Sequence, residues 1–119
     1  MNKEKAMEWV ARLRSGKYEQ GRSRLNRNNK TFCCLGILSE MAVEDGIVRR
    51  ENDNYIGSSG YPWTAGLATD IRKEYRMKST ESFNDMFCWI GDTSLSGMND
   101  NGKSFAEIAD VIEANWEVL

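Results

Sequence analysis

Apolar residues recur at helical spacing near both ends of the chain. Ala6, Trp9, Val10 and Leu13 fall on one face of a helix predicted over residues 3–15, with Gly16 as its stop. Phe105, Ile108, Ala109, Ile112 and Trp116 form the stripe of a last helix. Ser104 stands before that stripe and Glu107 three residues on, the spacing of a capping box in which each side chain accepts the other's backbone N–H. A second helix is predicted over residues 34–45, with Cys34, Leu38, Met41 and Ala42 inward and Gly46 ending it. Gly36 inside it costs roughly 1 kcal/mol relative to Ala, which predicts a close approach by another element's backbone. A third helix is predicted over residues 64–75, with Leu67, Ala68 and Ile71 inward.

Shorter patterns fill the gaps. Residues 17–31 are polar, basic and punctuated by glycine, with a short strand expected around Leu25 and Phe32 and a turn at Asn28 and Asn29. Residues 47–50 and 54–56 read as a hairpin turning through Glu51, Asn52 and Asp53. Residues 57–60 with the only proline, Pro62, mark a mobile loop. Residues 86–90 are continuously apolar and short, so they are expected to be buried, as strand or helix. A short helix from Asp92 carries Leu95 and Met98, and residues 99–102 turn before the last helix. The expected class is α+β: about four helices around one core, with a small antiparallel sheet drawn from residues 22–33, 47–56 and 86–90. At 119 residues, the chain reads as a single globular domain over residues 1–119.

Composition narrows the chemistry. There is no histidine, which removes the commonest general base near neutral pH and the commonest metal ligand. Neither a Ser-His-Asp nor a Cys-His apparatus can be built, and three cysteines cannot supply a four-thiolate zinc site. We therefore expect a binding protein without catalytic residues, metal or cofactor. Cys33, Cys34 and Cys88 read as buried, reduced thiols. The longest apolar run, residues 32–38, is far short of the ~18 residues a membrane helix needs. With no secretory signal behind the N-terminus, a cytoplasmic location is expected.

Charge is uneven. Residues 1–30 carry +6, residues 31–80 carry −1 and residues 81–119 carry −7, for −2 overall. The last third has a single cation, Lys103. If the two ends lie apart, one face is basic and another acidic; if they pack together, the charges pair. Asp110, Glu113 and Glu117 share a helical face opposite the apolar stripe, where they read as solvated. Residues 99–102 fail the ligand spacing of a calcium loop, and Gly16-Lys17 lacks the flanking residues of a phosphate loop. What remains is the basic segment. Lys17, Tyr18, Gln20, Arg22 and Arg24 provide cationic forks, an amide and an aromatic ring beside glycines that let a ligand near the backbone. Trp63, after the Gly/Ser loop, is the candidate aromatic lid, with a place in the core as the alternative. A solvated basic loop is the plain alternative.

Three blocks of the chain resemble a family of small uncharacterised proteins of tailed phages and prophages. They are the helix end L-R-S-G with Tyr18 and Gln20-Gly21, the run F-C-C-L-G at residues 32–36, and the stretch from Leu95 to Glu113 built on N-D-x-G-x-S-F-x-E-I-A-D-x-I-E. Met98 stands where the family usually has leucine. The resemblance covers about half the chain and implies origin more than activity. For a protein of that origin without catalytic residues, the expected role is that of a phage accessory binding protein in the infected host's cytoplasm, acting in counter-defence. From the residues, the expected role is sequestration of a nucleotide-type small molecule by Lys17, Tyr18, Gln20, Arg22, Arg24 and Trp63. The alternative is a protein–protein inhibitor that docks a host factor through the acidic C-terminal face. No membrane partner is expected, net negative charge argues against nucleic acid, and a homodimer is open.

Overall fold

The structure, a computed structural model, describes residues 1–79 and 82–119. Its helices are α1 (Lys3–Arg14), α2 (Cys34–Glu44), α3 (Thr69–Glu74), α4 (Leu95–Asp100) and α5 (Phe105–Asn115). The strands are β1 (Glu19–Gln20), β2 (Asn26–Arg27), β3 (Thr31–Phe32), β4 (Arg49–Glu51), β5 (Asn54–Ile56), β6 (Pro62–Trp63), β7 (Trp89–Ile90) and β8 (Thr93–Ser94). The class is α+β, with the helices around one core.

Both terminal helices form where the apolar spacing requires. Ala6, Trp9, Val10 and Leu13 of α1 are buried, and so are Phe105, Ile108, Ala109 and Ile112 of α5. The capping box closes: Glu107 N–H donates to Ser104 Oγ and Ser104 N–H to Glu107 Oε1, each at 3.1 Å. These two helices pack on each other, and α2 is buried on nearly every side, Ser39 and Gly36 included. Gly36 has the close neighbour its position predicts. A Cβ there would stand 1.7 Å from the Leu25 carbonyl oxygen. The chain at Leu25 thus lies directly on α2, and its N–H is satisfied by Thr64 O at 2.8 Å.

The β structure is more divided than the pattern predicts. It falls into three small sheets, ordered β1-β3-β2, β4-β5-β6 and β7-β8. All pairings are antiparallel except β1 with β3, which is parallel. Residues 26–32 and 49–56 therefore belong to different sheets, with α2 between them in the chain. The hairpin of residues 49–56 forms, turning at Asn52 with φ +55°, and gains β6 as a third strand.

Two helices start later than predicted. α3 begins at Thr69 because Pro62–Trp63 pair with β5 and the Leu67 N–H donates to Met86 O at 2.9 Å, which hold the intervening bend at residues 64–66 out of the helix. α4 begins at Leu95, not Asp92. Residues 89–94 first make a tight hairpin around Gly91, φ +62°, and Ser94 caps the helix by accepting the Gly97 N–H at 2.9 Å. The apolar run 86–90 is accordingly part 3-10 turn (Phe83–Phe87) and part strand. The loop at residues 57–60 is anchored, since Ser58 N–H donates to Asp70 Oδ2 at 3.1 Å. The three cysteines are buried and unbridged; burial pushes the Cys33 thiol up to about 11 and Cys88 up to about 12. No helix among the described residues is long and apolar enough to cross a membrane.

Candidate functional site

One buried amide positions the basic segment. Asn99, 1% exposed at the end of α4, accepts on Oδ1 from the Cys34 N–H at 3.1 Å and from Gln20 Nε2 at 2.8 Å. Its Nδ2 donates to the Gly21 carbonyl at 2.7 Å. Gln20 Nε2 donates a second time, to the Lys103 carbonyl at 2.8 Å. Asn99 therefore joins three parts of the chain: the N-terminus of α2, the end of β1 and its own helix. Each is polar and near the core, so the amide leaves none of these groups orphaned. Ser23 N–H donates to Asp100 Oδ1 at 2.8 Å and holds a left-handed turn at φ +68°. A Cβ on Gly21 would stand 2.7 Å from Thr31 Oγ1, so a side chain here would force Thr31 to shift.

This frame separates the six predicted ligand residues. Gln20 and Arg22 line one small pocket of about 110 Å³, together with Asn99, Gly102 and Lys103. Both N–H groups of Gln20 are used internally, so its part there is to set the wall. Tyr18 packs edge-on against Phe32, ring centroids 5.8 Å apart, and belongs to the rim of the core. Lys17 and Arg24 are exposed and outside the pocket. Trp63 sits in β6 opposite Tyr55 and edge-on to Tyr61 at 5.0 Å, also outside it. The structure adds Lys103, which comes from the far end of the sequence. Its signal was its isolation, the only cation in the acidic third.

The electrostatics divide the cations into two groups. Those of α1 are paired. Arg12 holds Glu8 at 3.2 Å and also Glu44, a hydrogen bond that lowers the Glu44 carboxyl below its ordinary range. Arg14 reaches Asp110 at 2.7 Å and Glu113 at 3.2 Å. Lys5 holds Asp45 at 2.8 Å. By contrast Lys17, Arg22, Arg24, Arg27, Lys30 and Lys103 are exposed and, among the described residues, none forms an ion pair. Gly102, at φ +98°, borders the guanidinium: Arg22 Nη2 would lie 3.5 Å from a Cβ there. The Arg14 pairs also neutralise part of the acidic face expected to dock a host protein.

Two larger clefts are also present among the described residues. One of about 690 Å³ is lined by Asp45, Asp70, Glu74, Lys73 and the residue 58–59 loop. Two of its three carboxylates are already used, Asp45 by Lys5 and Tyr75 and Asp70 by the Ser58 N–H, and these two are held below their ordinary pKa chiefly by those hydrogen bonds. The other, about 470 Å³, borders Trp89, Ser94, Met98, Asn101 and Lys103. Among the described residues no cluster of three or more His, Cys, Asp or Glu side chains is arranged to hold a metal ion.

A family model described as Domain of unknown function (DUF8296) matches residues 1–116. No curated protein and no solved structure matches the chain.

Proposed function

Because the chain belongs to this family of unknown function, we propose a role from the site alone: capture, without chemical conversion, of a phosphate-bearing, nucleotide-type small molecule. The observation that carries it is the meeting of Arg22 and Lys103, from opposite thirds of the sequence, at one pocket with no carboxylate partner among the described residues. Bringing two like charges together costs energy unless an anion comes with them. A pocket of about 110 Å³ is small against the ~300 Å³ at the lower end of ordinary ligand pockets, and it suits a single phosphate group. Arginine and lysine are the side chains that grip such a group. The wider reading, a counter-defence accessory that sequesters its ligand in the cytoplasm of an infected cell, rests on the sequence resemblance of three blocks of the chain to small phage proteins. The acidic-face inhibitor is the weaker reading, since Arg14 already occupies Asp110 and Glu113.

The test is native mass spectrometry on protein purified from the cells that express it, with calorimetric titration of inorganic phosphate and nucleoside monophosphates. A bound mass of a few hundred daltons lost on denaturation, and binding abolished by Arg22→Glu, are the expected results. An apo mass with no heat from any of these anions would remove the proposal.

A further inference from the structure

The phosphate-sized pocket does not stand alone. Lys103 lines both that pocket and the cleft of about 470 Å³ beside it, so the two adjoin across one side chain. The cleft runs between the β7–β8 hairpin and α4. Its walls combine the Trp89 ring and Met98 with the polar groups of Asp92, Thr93, Ser94 and Asn101. Its volume is within the ordinary range for a small-molecule site. The Trp89 indole Nε1 is buried and finds no acceptor, although a buried indole N–H is usually paired.

Resting on the phosphate-capture reading above, we infer that the cleft beside Trp89 receives the nucleoside of a nucleoside monophosphate whose phosphate lies on Arg22 and Lys103. The polarity of the composite site matches that ligand from end to end. Two cations without ion-pair partners sit at one end. An aromatic ring and a thioether sit in the other, with Asp92 and Asn101 able to accept from ribose hydroxyls or an exocyclic amine. Trp89 thereby takes the place that the sequence assigns to Trp63, which lines neither cavity. The reason Trp63 misses is its pairing: β6 is held on β5, and its ring leans on Tyr61.

The test is calorimetric titration of the full chain and three variants with adenosine, guanosine, cytidine and uridine monophosphates and with inorganic phosphate. The expected result is that at least one nucleotide binds the parent ten-fold or more tighter than phosphate. Trp89→Leu removes that advantage and leaves phosphate binding unchanged. Thr93→Trp, an exposed strand position where a large ring fills the cleft without touching the core, does the same and covers the case in which Trp89→Leu does not fold. Trp63→Leu keeps the advantage. If phosphate and every nucleotide bind equally well, or if Thr93→Trp keeps the nucleotide advantage, this inference is overturned while phosphate capture stands. If neither phosphate nor nucleotide binds the parent, both fall.

Discussion

Arg14 and Arg22 stand eight positions apart in the sequence and in opposite electrostatic situations. Arg14 projects from a helix that packs along α5, so it meets Asp110 and Glu113. Arg22 projects from a segment bent by Gly21 and Ser23 and pinned by Asn99 and Asp100, so it meets Gly102 and Lys103 instead. The same residue type is thus structural in one place and available in the other. What separates them is the element that carries each: a helix seeks a packing partner along its length, whereas a pinned loop presents its side chains outward. Basic composition alone could not distinguish the two.

The largest effects are expected in the frame that pins the basic segment. Gly36→Ala forces a Cβ into the Leu25 carbonyl, a backbone clash that no rotamer relieves. We expect a loss of about 3 kcal/mol or more in chemical denaturation, because overpacking against backbone lies at the upper end of such costs. Asn99→Ala comes next. It orphans the Cys34 N–H and the Gly21 carbonyl and frees Gln20, for a loss of roughly 3 kcal/mol. It should also weaken phosphate binding, since β1 and Lys103 lose their common tie. Both changes are read from the denaturant midpoint.

Arg22→Glu and Lys103→Glu sharpen the comparison from the other side. Each should cost ten-fold or more in phosphate affinity while stability stays within about 0.5 kcal/mol, as for other exposed sites. Arg14→Ala should do the reverse, leaving affinity unchanged and lowering the midpoint slightly, because its ion pairs are open to solvent. The smallest effect is on pH. Glu44, Asp45 and Asp70 have carboxyl pKa values lowered by their hydrogen bonds to Arg12, Lys5 and the Ser58 N–H. A lowered folded value contributes stability that is fully present above the ordinary 3.8–4.5 and is lost as pH falls through the folded values. The midpoint should therefore be flat from pH 7 to 5 and fall below about pH 4, a slope visible by circular dichroism.

Much of the fold was legible because it rests on periodicity and caps. The stripes of α1 and α5, the Ser104–Glu107 box and the strain at Gly36 each follow from a local pattern with one physical reading. The starts of α3 and α4 were not legible. They depend on Leu67 bonding to Met86 and on a hairpin at Gly91, pairings between segments that no local pattern records. The site was legible only in part. The segment carrying Arg22 stood out by charge, yet Gln20, which looked like a ligand donor, is a tie to Asn99. Lys103 joins Arg22 through a contact spanning most of the chain, and Trp89 sat in a run that read simply as buried.

The measurement closest to the central claim is a two-dimensional amide and indole NMR titration with adenosine monophosphate, repeated with inorganic phosphate. Both ligands should shift the amides of Arg22, Gly102 and Lys103, and the nucleotide alone should add the Trp89 indole. Shifts confined to Tyr61 and Trp63, or none at millimolar ligand, would contradict the account.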